Sequence, residues 1–141
     1  MYKNSEGYAD PVMDEILKKE KERFKHPWVY ICSPYRGDVQ KNTAVACKVC
    51  RIATTNGLVP IAPHLYFPRF LDDDNWYERD VGLKMGVALL KRCTEMWIIG
   101  TKVSEGMEFE IERAKKMPWI KIRHFIFTDG VLEEVDFDEY L

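Results

Sequence analysis

From Trp28 onward the chain alternates two hydrophobic patterns. Short β-rich apolar runs give way to stretches whose apolar positions recur every three or four residues. The run Trp28-Val29-Tyr30-Ile31-Cys32 ends in the turn-formers Ser33, Pro34 and Gly37 and predicts a buried strand entering a loop. Asp38 is placed to cap a helix in which Ala46, Val49, Cys50 and Ala53 share a face, with a stop at Asn56-Gly57. Residues 58–62 predict a second strand. Pro60, which has no ladder N–H to donate, argues for a place near the sheet edge. Residues 63–75 hold two prolines, four aromatic or imidazole rings and the triple Asp72-Asp73-Asp74, and predict a long irregular connection. A helix over about 76–92, a strand over 95–99 ending at Gly100, a helix over about 104–117 and a strand over 119–122 follow. In the tail, Val131, Leu132 and Val135 alternate with carboxylates and predict an edge or a cap.

This order of strands and helices predicts a single α/β domain of flavodoxin-like or Rossmann-like type, with a mostly parallel central sheet flanked by helices. We expect that domain to span residues 28–141. Residues 1–27 form an N-terminal helical extension whose Met13, Ile16, Leu17 and Phe24 make a thin apolar stripe on an otherwise solvated helix. In sheets of this kind ligands sit beyond the carboxyl ends of the strands. That rule selects residues 33–38, 63–75 and 100–106, and makes His64 a pocket residue.

Composition narrows the classes. With 141 residues there is room for one core, and 21 Lys and Arg against 23 Asp and Glu leave a formal charge of −2. No basic surplus exists to neutralise a nucleic-acid backbone, so no polymer partner is expected. The longest apolar stretches, such as 81–90, are interrupted by Lys84 and Gly86 and fall short of the roughly 20 residues of a membrane span. The first 26 residues show no apolar signal core, which predicts a cytoplasmic protein and no disulfides among its four cysteines. Cys47 and Cys50 lie inside a helix with no second pair, and are expected to be buried, inert thiols rather than zinc ligands. His26 and His124 flank strands without a partner at metal or triad spacing, and the three aspartates are expected to be a solvated loop. No Gly-x-Gly-x-x-Gly or phosphate-loop lysine is present to support dinucleotide or triphosphate chemistry.

One carboxylate breaks its helix's pattern. At 100° per residue Met107, Ile111, Ala114 and Met117 share an apolar sector, and Glu110 falls inside it while Glu105, Glu108 and Glu112 gather opposite. A buried carboxylate is paired, hydrogen-bonded or protonated, and such costs are met most often at functional sites. Glu110 is therefore either a functional group or a structural partner of Arg113 or Arg36, or it lies at the sector's edge with its head in water. Asp80, in Glu78-Arg79-Asp80, is a second candidate, although acidic residues favour the first helical turn without any chemistry. Ser104-Glu105-Gly106 and the segment Ser33 to Asp38, with Arg36, open two helices and offer amides and a guanidinium to an anion.

Together these stretches resemble the nucleoside 2-deoxyribosyltransferase superfamily, including its 2'-deoxynucleoside 5'-monophosphate N-glycosidase branch. Tyr30-Ile31-Cys32-Ser33-Pro34-Tyr35-Arg36-Gly37 is similar to the family's first strand and substrate loop, and Tyr77-Glu78-Arg79-Asp80 to its acidic helix segment. Ser104-Glu105-Gly106-Met107-Glu108-Phe109-Glu110-Ile111-Glu112-Arg113-Ala114 is similar to its nucleophile helix. The likeness spans about residues 28–124. It does not extend to the loop 63–75 or to the first 26 residues.

The resemblance implies an enzyme that cleaves or exchanges the N-glycosidic bond of a 2'-deoxynucleoside or its 5'-monophosphate. Glu110 would form a covalent glycosyl intermediate, Asp80 would assist departure of the base, and Tyr35 would orient the nucleophile. Arg36, Gly37, Ser104 and Gly106 would line the sugar and any phosphate, with Ser33, Pro34, His64 and Met107 completing the substrate set. Ser104 and Arg36 tilt the expectation slightly towards a monophosphate. No metal or organic cofactor is implied, and a homo-oligomer, dimer or higher, is. Two other readings share the same residues: a catalytically silent nucleotide-binding or sensing module, and a ribonucleotide phosphoribohydrolase.

Overall fold

A computed structural model describes Gly7 and residues 10–23 and 26–136. The elements run α1 (Pro11–Arg23), β1 (Trp28–Cys32), α2 (Val39–Thr55), β2 (Val59–Ile61), α3 (Trp76–Leu90), β3 (Glu95–Ile99), α4 (Glu105–Lys115), β4 (Lys121–Thr128) and β5 (Val131–Val135). Two short 3₁₀ turns, Pro63–Leu65 and Phe67–Arg69, interrupt the loop between β2 and α3. The sheet order is β2-β1-β3-β4-β5. All pairs are parallel except β4 with β5. This is the flavodoxin-like order, in which the chain reverses direction of travel across the sheet between β1 and β3.

The pleat of the central strands explains why both faces are covered. Tyr30, Cys32, Met96 and Ile98 point to one side, where they pack with Leu90 of α3 and Met107, Ile111 and Ala114 of α4. Val29, Ile31, Trp97 and Ile99 point to the other, against Val49 and Ala53 of α2. As the missing amide of Pro60 requires, β2 is an edge strand. Asp38 caps α2 by accepting from the Lys41 amide at 3.1 Å. Asn56 closes the helix.

Three expectations are corrected. Residues 119–122 do not make a strand of that extent: Trp119 is exposed, Ile120 turns back onto Met117, and β4 starts at Lys121 and runs to Thr128. His124 consequently lies within β4, buried, with its Nε2 against the Gly100 carbonyl. Cys47 is exposed and Cys50 half-buried, because Ala46, Val49 and Ala53 fill the sheet-facing side of α2. The tail expectation holds: β5 is an antiparallel edge strand, joined to β4 through Asp129-Gly130, both with positive φ (50° and 80°) as a two-residue hairpin turn requires. In the N-terminal helix Ile16 and Leu17 are exposed, and Phe24 lies outside the described residues.

Candidate active site

The loops that follow β1, β2 and β3 converge with α3 on one crevice of about 350 Å³ at the carboxyl end of the sheet. All three segments selected by the strand-end rule contribute. Ser33, Tyr35 and Arg36 come from the first, His64, Phe67, Leu71 and Asp73 from the second, and Ser104, Glu105 and Gly106 from the third.

Local chemistry fixes each wall. Asn42 of α2 donates through Nδ2 to the carbonyls of Tyr35 (3.1 Å) and Arg36 (3.0 Å), which holds the first loop against the helix it precedes. Arg36 reaches across the mouth to Asp73, its Nε donating to Oδ2 at 2.8 Å. That bond and the aspartate's charge push the guanidinium's pKa above its ordinary value. The pair ties the loop after β1 to the loop after β2. Within the latter, Tyr66, Phe67 and Phe70 make successive edge-to-face contacts at 4.7 and 5.8 Å, and Phe67, Pro68 and Leu71 give the crevice an apolar side. Asn75 caps α3 by accepting from the amides of Tyr77 and Glu78. Ser104 caps α4 by accepting from the Met107 amide at 3.2 Å.

Glu110 stands at the inner end. It is 8 % exposed, on the face of α4 that also buries Met107, Ile111 and Ala114, so the break in periodicity is real and the side chain is inside. Neither guanidinium suggested as a structural partner pairs with it. Arg36 is engaged by Asp73, and Arg113 lies over the Phe109 ring at 5.0 Å. His64 instead brings Nε2 to 3.5 Å from Glu110 Oε1. Oε2 is buried and has no hydrogen-bond partner. From β1 below, burial first, then the field of Glu110 and a hydrogen bond to its side chain, push the Tyr30 phenol well above its ordinary pKa. Burial and the same carboxylate raise the Cys32 thiol. Both neighbours therefore stay neutral beside the carboxylate.

The sequence-predicted residues divide accordingly. Ser33, Tyr35, Arg36, His64, Ser104, Gly106 and Glu110 line the crevice. Pro34, Gly37, Met107 and Asp80 do not. Met107 is core, 1 % exposed beneath Ser104. Asp80 points along the outside of α3 and pairs with Lys84 at 2.9 Å, four residues on. The α3 positions that do line the crevice include Glu78, Gly82, Leu83 and Gly86, and Asp80 is not among them.

Tyr35 is likewise not the tyrosine on Glu110. Its ring stacks flat on His64, with centroids 5.2 Å apart and planes 8° apart, and it is Tyr30 that meets the carboxylate. Tyr30 had a readable signal as the inward position two residues before the strand's end. Glu78 had none, being an ordinary first-turn glutamate. The acidic triple is only partly a solvated loop, since Asp73 belongs to the crevice. No group of three metal-binding side chains occurs among the described residues, nor any helix long and apolar enough to cross a membrane.

The fold has relatives. A 2-deoxyribosyltransferase from the psychrotolerant bacterium Bacillus psychrosaccharolyticus shares the fold with a TM-score of 0.59 at 13% identity, over 75% of this chain and 77% of that one. A 2-desoxiribosyltransferase from Leishmania mexicana does so with a TM-score of 0.51 at 16% identity, over 79% of each chain. At such identities the likeness is one of fold. No curated protein matches the sequence. A family described as "Domain of unknown function (DUF7768)" matches residues 27–125, from the approach to β1 through the first half of β4 and across the whole crevice. The chain belongs to the DUF7768 family.

Proposed function

We propose that this protein is an enzyme that cleaves or exchanges the N-glycosidic bond of a 2'-deoxynucleoside or its 5'-monophosphate, with Glu110 as nucleophile. The observation that carries the reading is Glu110 itself: a buried carboxylate at the inner end of a crevice, with one oxygen unpartnered. The fold shared with two deoxyribosyltransferases supports it.

In the proposed chemistry a Glu110 oxygen attacks the anomeric carbon, the carbon–nitrogen bond breaks, and its electron pair leaves with the base, which takes up a proton. The resulting glycosyl ester yields to water in a hydrolase or to a second base in a transferase. In-line displacement puts the departing base on the far side of the anomeric carbon from Glu110. We assign the proton-donating role to Glu78, the α3 carboxylate that lines the crevice, in place of Asp80.

Charge favours the unphosphorylated substrate. Asp73, Glu78, Glu105 and Glu110 face the crevice against Arg36, Arg79 and His64, and Arg36 is already bound to Asp73. An added phosphate dianion meets an excess of carboxylates there.

The test is chromatographic. The protein is incubated with deoxy- and ribonucleosides and their 5'-monophosphates, with and without an added free base. Base release from deoxynucleosides, lost in Glu110→Ala, supports the reading, and base exchange marks a transferase. A second reading, a binding module without turnover, is favoured by the apolar Gly82, Leu83, Gly86 and Val87 that make up most of the α3 wall. It predicts that nucleosides raise Tm while no base appears.

A further inference from the structure

We propose that His64 is a positioning residue for Glu110: its imidazolium is the counter-charge that keeps the buried carboxylate ionised and holds Oε1, which commits Oε2 to attack. The proposal deepens the glycosidic reading and rests on it for the kinetic part alone.

Three observations carry it. His64 Nε2 lies 3.5 Å from Oε1, closer than any other cationic side chain among the described residues to this carboxylate. The imidazole is held flat against Tyr35, so its position is fixed by stacking as well as by the Pro63–Leu65 turn that bears it. Oε2 is buried without a hydrogen bond while Glu110 lines the crevice. Oε1 therefore lies within ion-pair range of the imidazole, and Oε2 is left for an electrophile.

The surroundings make His64 the relevant charge. Tyr30 and Cys32, which reach Glu110 from β1, are both driven to their neutral forms. Arg36 is neutralised by Asp73 across the mouth. The other charged groups on the walls are Arg79 and two carboxylates, Glu78 on α3 and Glu105 on α4. Burial disfavours the charged form of a carboxylate, and an opposite charge within about 4 Å restores it. His64 is partly exposed, its side chain at 39%, and can exchange its proton with water. An imidazolium on the nucleophile's own side is badly placed to protonate a base leaving in line, which separates its role from that of Glu78.

Two experiments decide the matter. In the first, the pH dependence of kcat/KM for deoxynucleoside cleavage is measured for the wild type, His64→Gln and His64→Ala. Loss of the counter-charge moves the acid limb upward by about half a pH unit or more, in both variants, with KM within about twofold. A uniform drop at every pH with an unmoved limb overturns the proposal, because that is what a merely structural role produces. In the second, the imidazole signals are followed through a pH titration by NMR in the wild type and in Glu110→Gln. The midpoint of the His64 titration moves downward by about half a unit when the carboxylate becomes an amide. An unchanged midpoint overturns the proposal. The NMR arm needs no turnover. A protein that cleaves nothing but shows the downward shift retains the His64–Glu110 coupling while the glycosidic reading fails.

Discussion

Helices α3 and α4 pack on the same face of the sheet and each brings acidic residues to the neighbourhood of the crevice, yet one was readable and the other was not. In α4 the apolar positions Met107, Ile111 and Ala114 define a buried face so plainly that a carboxylate inside it stands out, and Glu110 is where that reading puts it. In α3 the pattern carries no such information. Trp76, Tyr77 and Met85 are exposed, glycines sit at 82 and 86, and the residues facing the crevice are partly apolar because they line a cavity rather than a core. An acidic residue in such a helix is explained by its first-turn position whichever way it points. The lesson is that a violation of a strong pattern locates a functional group, whereas a residue that fits a weak pattern does not.

Removing the violation has the largest expected effect. Glu110→Gln keeps the shape of the side chain and relieves the burial of a charge, so the fold persists and Tm is unchanged or higher. Base release falls by at least about a thousandfold, since the amide cannot form the glycosyl ester and no other carboxylate among the described residues is buried at the inner end of the crevice. Activity within tenfold of wild type would dismiss Glu110 as a structural carboxylate and remove the distinction between the two helices.

Glu78→Gln comes next. If Glu78 donates the proton to the leaving base, the loss is about a hundredfold in kcat, with the deficit smallest for substrates whose base leaves readily without protonation. A deficit equal for all bases would assign Glu78 to binding instead.

Gly86→Ala probes how closely α3 presses on the Glu110 group. A Cβ at this position would lie 3.3 Å from the Tyr30 hydroxyl, tighter than an ordinary contact, so the phenol must give way. We expect about a fivefold loss in kcat, from a displaced partner of Glu110, with little change in Tm because alanine's helix propensity offsets the crowding. Unaltered kinetics would show that Tyr30 does not help to place the carboxylate.

How much of the molecule was legible follows the same division. β1, α2, β3 and α4 were readable because each buries one face against a close-packed partner, which forces a period of 2 or 3.6. β4 was misread at both ends. Trp119 and Ile120 are apolar for reasons other than sheet pairing, and Arg123 and His124 placed polar side chains inside a strand. Each has a tertiary reason. Arg123 donates to Glu95 on β3 and Glu134 on β5, and His124 sits against the Gly100 carbonyl. The strand-end rule selects the loop 63–75 as a ligand segment. Its contributions, His64 on Glu110 and Asp73 on Arg36, join residues 46 and 37 positions apart, and neither spacing carries a local signal.

The smallest effect belongs to Asp80, and it is the most direct challenge to the comparison. In the structure this aspartate pairs with Lys84 on the outer side of α3, in the favourable order with the acid N-terminal to the base. Such exposed pairs contribute little to stability. Asp80→Asn should leave kcat and KM within about twofold of wild type, since general-acid roles contribute about a hundredfold or more and Asp80 does not line the crevice. The contrast with Glu78→Gln is therefore internal to one helix turn: two carboxylates two residues apart, one lining the crevice and one paired with Lys84. A tenfold or greater loss in Asp80→Asn, with Tm unchanged, would mean that α3 rotates to bring Asp80 inward when substrate binds. The acidic segment would then have been read correctly from the sequence and misplaced in the free protein.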